Sequence, residues 1–238
     1  MWQGLKIVLF ILMLSLMWGR TVLAEKTIIA VAANFTAPAK QIASYFQKKT
    51  GHEVVLSFGS TGKLYAQIIH GAPFSVLLAA DRKRPQLLEE AELGSSRFTY
   101  AQGRLALLGS KQSLEDGSFK RLAVANPKTA PYGVAAQQVL EKMGLYNKVR
   151  TKMVYGENIA QTYQFFATGN AELGFVAASS AQGKGWLVPA HMHSSLDQQA
   201  ILLKRGYKDE TAIAFLAFLK SKEATSILTN YGYSIPKE

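Results

Sequence analysis

Four short loops in this chain carry residues suited to binding an anion through uncharged donors. They read AANF (32–35), GSTG (59–62), APYG (130–133) and GENIA (156–160), and each follows an apolar strand-like run and precedes a helical pattern. Asn, Ser, Thr and Gly at one such junction are ordinary turn and helix-capping residues. Four junctions of this kind place several helix N-termini at the carboxyl ends of strands, where open α/β sheets bind ligands.

The loops contain no Arg, Lys or His, so a cationic side chain does not neutralise the ligand. We expect hydrogen bonds from the Asn34 amide, the Ser60 and Thr61 hydroxyls, the Tyr132 phenol and backbone N–H groups. Such a donor-rich site favours a fully deprotonated tetrahedral dianion, because a protonated oxyanion also needs an acceptor. Glu157 is the one carboxylate in these loops and must point away from the ligand.

The elements around the loops alternate between strand and helix, which predicts an α/β fold. The predicted strands are 27–32, 53–58, 74–80, 103–110, 121–126, 151–155, 171–178 and 198–204. The predicted helices are 37–51, 63–71, 84–94, 134–144, 157–169, 209–221 and 222–232. The stretch 111–120 is more polar and is expected to be irregular.

The first 24 residues have the pattern of a secretory signal peptide. Lys6 precedes an apolar run, and Val22 and Ala24 occupy the small-residue positions before a cut expected after Ala24. An uncleaved membrane anchor is the alternative, but the run is short for a span of about 20 residues. The mature protein is therefore expected in the periplasm, and the absence of cysteine excludes disulfides and thiolate metal sites.

The chain is basic, with 27 Lys and Arg against 16 Asp and Glu and a formal net charge of +11. No basic cluster is interleaved with aromatic residues, so we expect no nucleic-acid partner. An exported hydrolase is one alternative function, but the sequence has no G-x-S-x-G motif. The pair His191 and His193 has metal-binding spacing without further ligands nearby, so no bare metal cation is expected.

Several longer segments resemble the periplasmic molybdate-binding proteins, the substrate-binding components of molybdate ABC importers. The segments are IIAVAANFT, VVLSFGSTGKLYAQIIHGAPFSVLLAAD, AVANPKTAPYG, ELGFVA and YGYSIP. The resemblance spans nearly all of the mature chain. It implies a two-lobed periplasmic binding protein of type II, with two interlobe strand crossings, that closes on molybdate or tungstate in its cleft.

The resemblance also assigns ligand positions. It implies molybdate contacts at Asn34, Thr61, Tyr132 and, through the backbone N–H, Ile159, with Ala33 and Ser60 as second-tier contacts. A further position, a tyrosine in many members, holds Ala177 here. We expect the phenol of Tyr132 to replace the missing donor from another wall.

The expected domain organisation follows from the same resemblance. Lobe one comprises 25–103 plus 205–238, and lobe two comprises 104–204 with a crossing strand at each end. The implied partners are the oxyanion and the membrane subunits of an ABC permease. We expect a monomer that is not an enzyme and carries no cofactor. An oxyanion sensor module, which would use the same closing fold to signal, is the other alternative.

Overall fold

A computed structural model describes residues 26–236. The predicted signal peptide lies outside the described residues. The strands are β1 Thr27–Ala32, β2 Val54–Gly59, β3 Val76–Ala79, β4 Gly94–Gly103, β5 Leu105–Leu108, β6 Leu122–Ala125, β7 Met153–Gly156, β8 Leu173–Ala177, β9 Trp186–Leu187 and β10 Leu196–Leu203. The α-helices are α1 Thr36–Thr50, α2 Thr61–Ile69, α3 Lys83–Glu90, α4 Lys111–Asp116, α5 Pro131–Lys142, α6 Tyr146–Val149, α7 Ile159–Ala167, α8 Ala178–Ala181, α9 Glu210–Leu219 and α10 Lys222–Asn230. Short 3-10 turns are Ala33–Phe35, Arg150–Lys152, Ala190–Met192 and Lys204–Lys208.

The first lobe is built on a five-stranded sheet in the order β2-β1-β3-β10-β4. Strands β1, β2 and β3 are parallel, whereas β10 runs antiparallel to β3 and β4. On one face α1 packs with α9 and α10 through residues such as Ile42, Phe46 and Phe215. Leu64 of α2 and Leu88 of α3 belong to a second buried cluster that includes β3. The helical spacing of Ile42 and Phe46 in the sequence thus marks a buried face.

The second lobe repeats this design with a sheet in the order β7-β6-β8-β5-β9. Strands β6, β7 and β8 are parallel, and β5 is antiparallel to β8. Helix α5 buries Ala135, Val139 and Leu140 in the core of this lobe. The predicted two-lobed α/β fold is therefore confirmed.

The two lobes are joined where strands leave one sheet for the other. Strand β4 ends at Gly103 in the first sheet, and β5 begins at Leu105 in the second. The chain returns through 188–195 and enters the first sheet as β10. Because β10 pairs with β3 and β4, the second lobe ends near 195, not at 204 as predicted. The apolar composition of a strand does not reveal which sheet it joins.

Several described elements are absent from the sequence prediction, namely β4, β9, α4, α6 and α8, and the reasons are clearest for β4 and α4. Strand β4 was not predicted, because its first half, GSSRFT, is polar and only pairing with β10 makes it a strand. Helix α4 lies in the stretch expected to be irregular. It is capped by Ser110, whose Oγ accepts from Ser113 N at 3.1 Å, and it ends at Gly117 with φ of 85°. Between residues 26 and 236, no helix combines the length and apolarity needed to cross a membrane.

Candidate functional site

The four donor-bearing loops meet at one small cavity between the lobes, with a volume of about 10 Å³. Its wall is formed by Ala32, Ala33, Asn34, Ser60, Thr61, Ala80, Ala130, Pro131, Tyr132, Asn158 and Ile159. All six predicted contact residues are among them. The first six residues come from the first lobe and the others from the second, so the cavity exists only while the lobes are closed.

Three α-helices begin at this cavity, and a 3-10 turn before α1 forms the fourth wall. Ala32, Ser60 and Ala130 precede the first turn of their helices, and none provides a side-chain cap. In α7, Asn158 Oδ1 accepts from Ala160 N and Gln161 N, both at 3.0 Å. The first N–H groups of a helix have no intrahelical partner and lie at the positive end of the helix dipole. The cavity is therefore built to receive negative charge.

Two adjacent hydroxyls line the first-lobe side of the cavity. Ser60 is 3% exposed, and its buried Oγ has no hydrogen-bond partner among the described residues. Thr61 Oγ1 accepts from the backbone N–H of Ala80 at 3.0 Å, so its own O–H stays available to donate. An unpartnered buried hydroxyl is costly unless a ligand satisfies it. Ser60, predicted as a second-tier contact, is thus as well placed as Thr61 to donate a hydrogen bond to a ligand.

None of the described residues that line the cavity is charged. Glu157 forms an ion pair with Lys63 of the first lobe, and its side chain is 53% exposed. The requirement that this carboxylate point away is met. Next to Lys63, a backbone hydrogen bond also joins the two lobes, from Gly62 N to Thr129 O at 2.8 Å. Within residues 26–236 there is no cluster of three or more His, Cys, Asp or Glu side chains that could hold a metal ion.

The side chains of Asn34 and Tyr132 have partners within the protein. Asn34 Nδ2 donates to Gln198 Oε1 at 2.7 Å and to the Tyr233 hydroxyl at 3.0 Å, which uses both amide hydrogens. The Tyr132 phenol interacts with Asn34 and Tyr233 and lies against Gly103. We predicted that these two side chains donate hydrogen bonds into the cavity, but in the structure they are bonded to other protein groups. Their backbone N–H groups, at the start of helical turns, are the atoms suited to that role.

Sequence reasoning did not single out Gln198 or Tyr233. Gln198 is fully buried although it lies in the polar first half of β10, LDQQ, and Tyr233 lies in the C-terminal segment YGYSIP. A buried glutamine in such a strand is an available signal, because a buried amide requires partners. The partners themselves are 164 and 199 residues away from Asn34. Ala177 ends β8 in the core and does not line the cavity.

Three buried phenols lie behind the cavity. Burial raises the pKa of Tyr233 to about 12, and it raises the pKa values of Tyr100 and Tyr132 well above the ordinary value. Nearby tyrosines add to the increase for Tyr100 and Tyr132. These phenols are therefore uncharged at every physiological pH.

The raised phenol pKa values predict how stability depends on alkaline pH. The unfolded chain releases these protons near pH 10, below the folded pKa values, so it binds fewer protons than the native state there. The stabilising contribution should be complete below pH 10 and should be lost as the pH rises toward 12. We expect phenolate absorbance from these three of the ten tyrosines to appear together with loss of circular dichroism. Ionisation of all ten tyrosines in a still-folded protein would contradict this expectation.

Comparison with known proteins identifies the family of this chain. Residues 28–234 match the family model described as bacterial extracellular solute-binding protein. The chain is 48% identical over 229 residues to the molybdate-binding protein ModA of Azotobacter vinelandii, covering 89% of this chain and 91% of that protein. It is 45% identical over 223 residues to ModA of Rhodobacter capsulatus, covering 88% of each. A solved structure of an Azotobacter vinelandii periplasmic molybdate-binding protein superposes with a TM-score of 0.86 at 34% identity, over 89% of this chain and 100% of that one. The chain therefore belongs to the bacterial extracellular solute-binding proteins, within the group of the ModA proteins.

Proposed function

We propose that this protein captures molybdate or tungstate in the interlobe cavity and delivers it to an ABC permease. The observation that carries the proposal is an uncharged, closed cavity in which helix N-termini from both lobes surround an unpartnered serine hydroxyl. The relatives named molybdate-binding proteins support the choice of oxyanion. In the same proposal the leader is removed after Ala24, and the mature protein works in the periplasm as a monomer.

The anion is bound by replacing its hydration shell with fixed dipoles. The hydroxyls of Ser60 and Thr61 donate from the first lobe, together with the backbone of the 33–34 turn. The backbone N–H groups of Tyr132 and Ile159 donate from the second lobe. Hydrogen bonds to an ionised acceptor are stronger than neutral ones, so several such donors in a dry cavity retain a dianion without a counter-ion. Binding in this form needs neither a cofactor nor a catalytic group.

Closure of the lobes links binding to delivery. Because donors come from both lobes, the anion stabilises the closed arrangement over the open one. The closed surface is then the form that the permease recognises. Discrimination against sulfate is then expected from the size of the space that the lobes enclose around the anion, since molybdate is the larger tetrahedron.

Titration of the mature protein with five oxyanions tests the proposal. Molybdate and tungstate should each raise the melting temperature and give a calorimetric signal with one site per chain. Sulfate, phosphate and chromate should leave the melting temperature unchanged at the same concentration. Stabilisation by phosphate, or by none of the five anions, would show that the proposal is wrong.

Replacing Ser60 by alanine separates a ligand donor from a structural hydroxyl. The wild-type hydroxyl has no partner in the described protein, so the unliganded variant should lose no stability in a urea titration. Its affinity for molybdate should fall by about tenfold or more, the effect of losing about 1.5 kcal/mol or more in a hydrogen bond to a charged group. Unchanged affinity in calorimetry would remove Ser60 from the set of donors.

A further inference from the structure

The C-terminal segment of the described chain reaches the back of the anion cavity. Ser234 pairs with Gln102 of β4 through two backbone hydrogen bonds, of 2.7 and 3.0 Å. This pairing places Tyr233 beside the point where β4 crosses into the second lobe. The Tyr233 side chain is 4% exposed, and its ring packs edge-on against Phe35 with 5.5 Å between the ring centroids.

The Tyr233 hydroxyl holds Asn34 at two atoms. It donates to the Asn34 backbone carbonyl at 2.9 Å and accepts from Asn34 Nδ2 at 3.0 Å. Gln198 Oε1 accepts the other amide hydrogen at 2.7 Å. Both amide hydrogens and the backbone carbonyl of Asn34 are therefore held by partners on the side away from the cavity. Asn34 is 4% exposed, so water does not substitute freely for these partners.

Ser179 extends the contact to the second lobe. Its Oγ lies 3.2 Å from the Asn34 carbonyl oxygen, to which it donates, and 3.4 Å from the Tyr233 hydroxyl oxygen. Ser179 belongs to the short helix after β8, whereas Asn34 and Tyr233 belong to the first lobe. The three residues, here called the tail junction, thus connect the C-terminal segment, the first anion loop and the second lobe.

We propose that Tyr233 is a positioning residue for anion binding, whose phenol orients the Asn34 turn toward the cavity and joins it to Ser179 when the lobes close. The inference rests on the proposed function and concerns the same site. Tyr233 does not line the cavity, so it acts through Asn34 and not on the anion. Its hydroxyl remains protonated throughout the physiological pH range because the side chain is buried.

The position of the tail junction predicts a kinetic signature. Contacts that join the closed lobes must break before the anion leaves, but they need not form before it enters. Loss of the Tyr233 hydroxyl should therefore accelerate dissociation more than it slows association. Most affinity differences between related complexes arise in this way.

Tyr233→Phe tests the inference, with Tyr100→Phe as its matched control. Both rings pack against Phe35, at 5.5 and 5.1 Å, but the buried Tyr100 hydroxyl has no partner among the described residues. With molybdate as the probe, Tyr233→Phe should weaken affinity by about tenfold, mainly through faster release, as expected for about 1.4 kcal/mol. Tyr100→Phe should stay within about twofold of the wild type, because no hydrogen bond is lost.

A double-mutant cycle between Tyr233→Phe and Ser179→Ala distinguishes positioning from general stability. Because both hydroxyls meet at Asn34, their effects on the dissociation rate should be smaller together than the sum of the single effects. Melting temperatures of the unliganded variants are measured in parallel. A lower melting temperature in Tyr233→Phe with wild-type release kinetics would overturn the inference and leave only a structural role.

The outcomes also separate this inference from the proposed function. A wild-type protein that binds neither molybdate nor tungstate would refute the proposed function. A wild type that binds, with Tyr233→Phe binding equally well and releasing at the same rate, would refute only the positioning role. If Tyr233→Phe does not fold, Ser179→Ala decides alone: faster release supports the tail junction, and unchanged release overturns it.

Discussion

Replacing Gly62 by alanine should weaken molybdate binding by about 10- to 100-fold while both lobes remain folded. A Cβ atom at this position would lie 2.8 Å from the Thr129 carbonyl oxygen and 3.0 Å from both Thr129 Cα and Arg84 Nη2. Thr129 is in the second lobe, and the contact is with its backbone, so a simple side-chain rotation cannot relieve it. Overlaps of this kind cost about 1 to 3 kcal/mol, and the expected 10- to 100-fold corresponds to about 1.4 to 2.7 kcal/mol within that range.

The Gly62→Ala effect should be confined to the closed state. Gly62 is in the first turn of α2, where alanine is the better helix former, so the open protein should be no less stable than the wild type. Calorimetry measures the affinity, and thermal unfolding without anion measures the stability. Gln67→Ala, at an exposed position of the same helix, is the control and should bind normally. Wild-type affinity in Gly62→Ala would mean that the bound state does not have this closed geometry.

Replacing Thr61 by valine should reduce both stability and affinity. Valine has nearly the shape of threonine but leaves the buried N–H of Ala80 without its acceptor, which lies at 3.0 Å in the wild type. An unsatisfied buried donor costs about 1 to 3 kcal/mol of the free energy of unfolding. The lost donor to the anion should weaken binding by roughly 10- to 150-fold, since hydrogen bonds to charged groups contribute about 1.5 to 3 kcal/mol.

Thr61→Ser is the matched control because it keeps the hydroxyl and removes only a methyl group. It should retain most of the affinity and most of the stability. Urea titration of the unliganded variants and calorimetry with molybdate measure the two effects independently. If the valine variant is less stable yet binds molybdate as tightly as the wild type, the Thr61 hydroxyl only supports Ala80 and does not donate to the anion.

The features that the sequence predicts well are those encoded over short distances. The period of the apolar residues predicts α1, α2 and α5, because each helix buries one stripe, such as Ile42 and Phe46. The loops could be placed at one site because parallel strands end at a common edge of their sheet. Ser60 and Thr61, which directly follow β2, lie where that rule expects them.

Features that depend on distant partners were not predictable in this way. Whether Asn34 faces the anion or the protein interior is decided by Gln198 and Tyr233, which the chain brings together only on folding. The sheet that β10 joins is likewise decided by pairing with β3 and β4, not by its own composition. Strand β4 itself has too polar a first half to be predicted without that partner.

Because the wall of the cavity is uncharged, salt should change how fast the anion is captured but not how long it is retained. The full chain carries a formal net charge of +11, which becomes +9 once the proposed leader with Lys6 and Arg20 is removed. This charge attracts anions over long distances, but no charged residue lines the cavity among those described. Added salt screens long-range attraction and acts weakly on enclosed hydrogen bonds. The association rate for molybdate should therefore fall with ionic strength while the dissociation rate stays nearly constant. At high ionic strength, a binding protein of this kind would retain its bound anion and would only capture it more slowly.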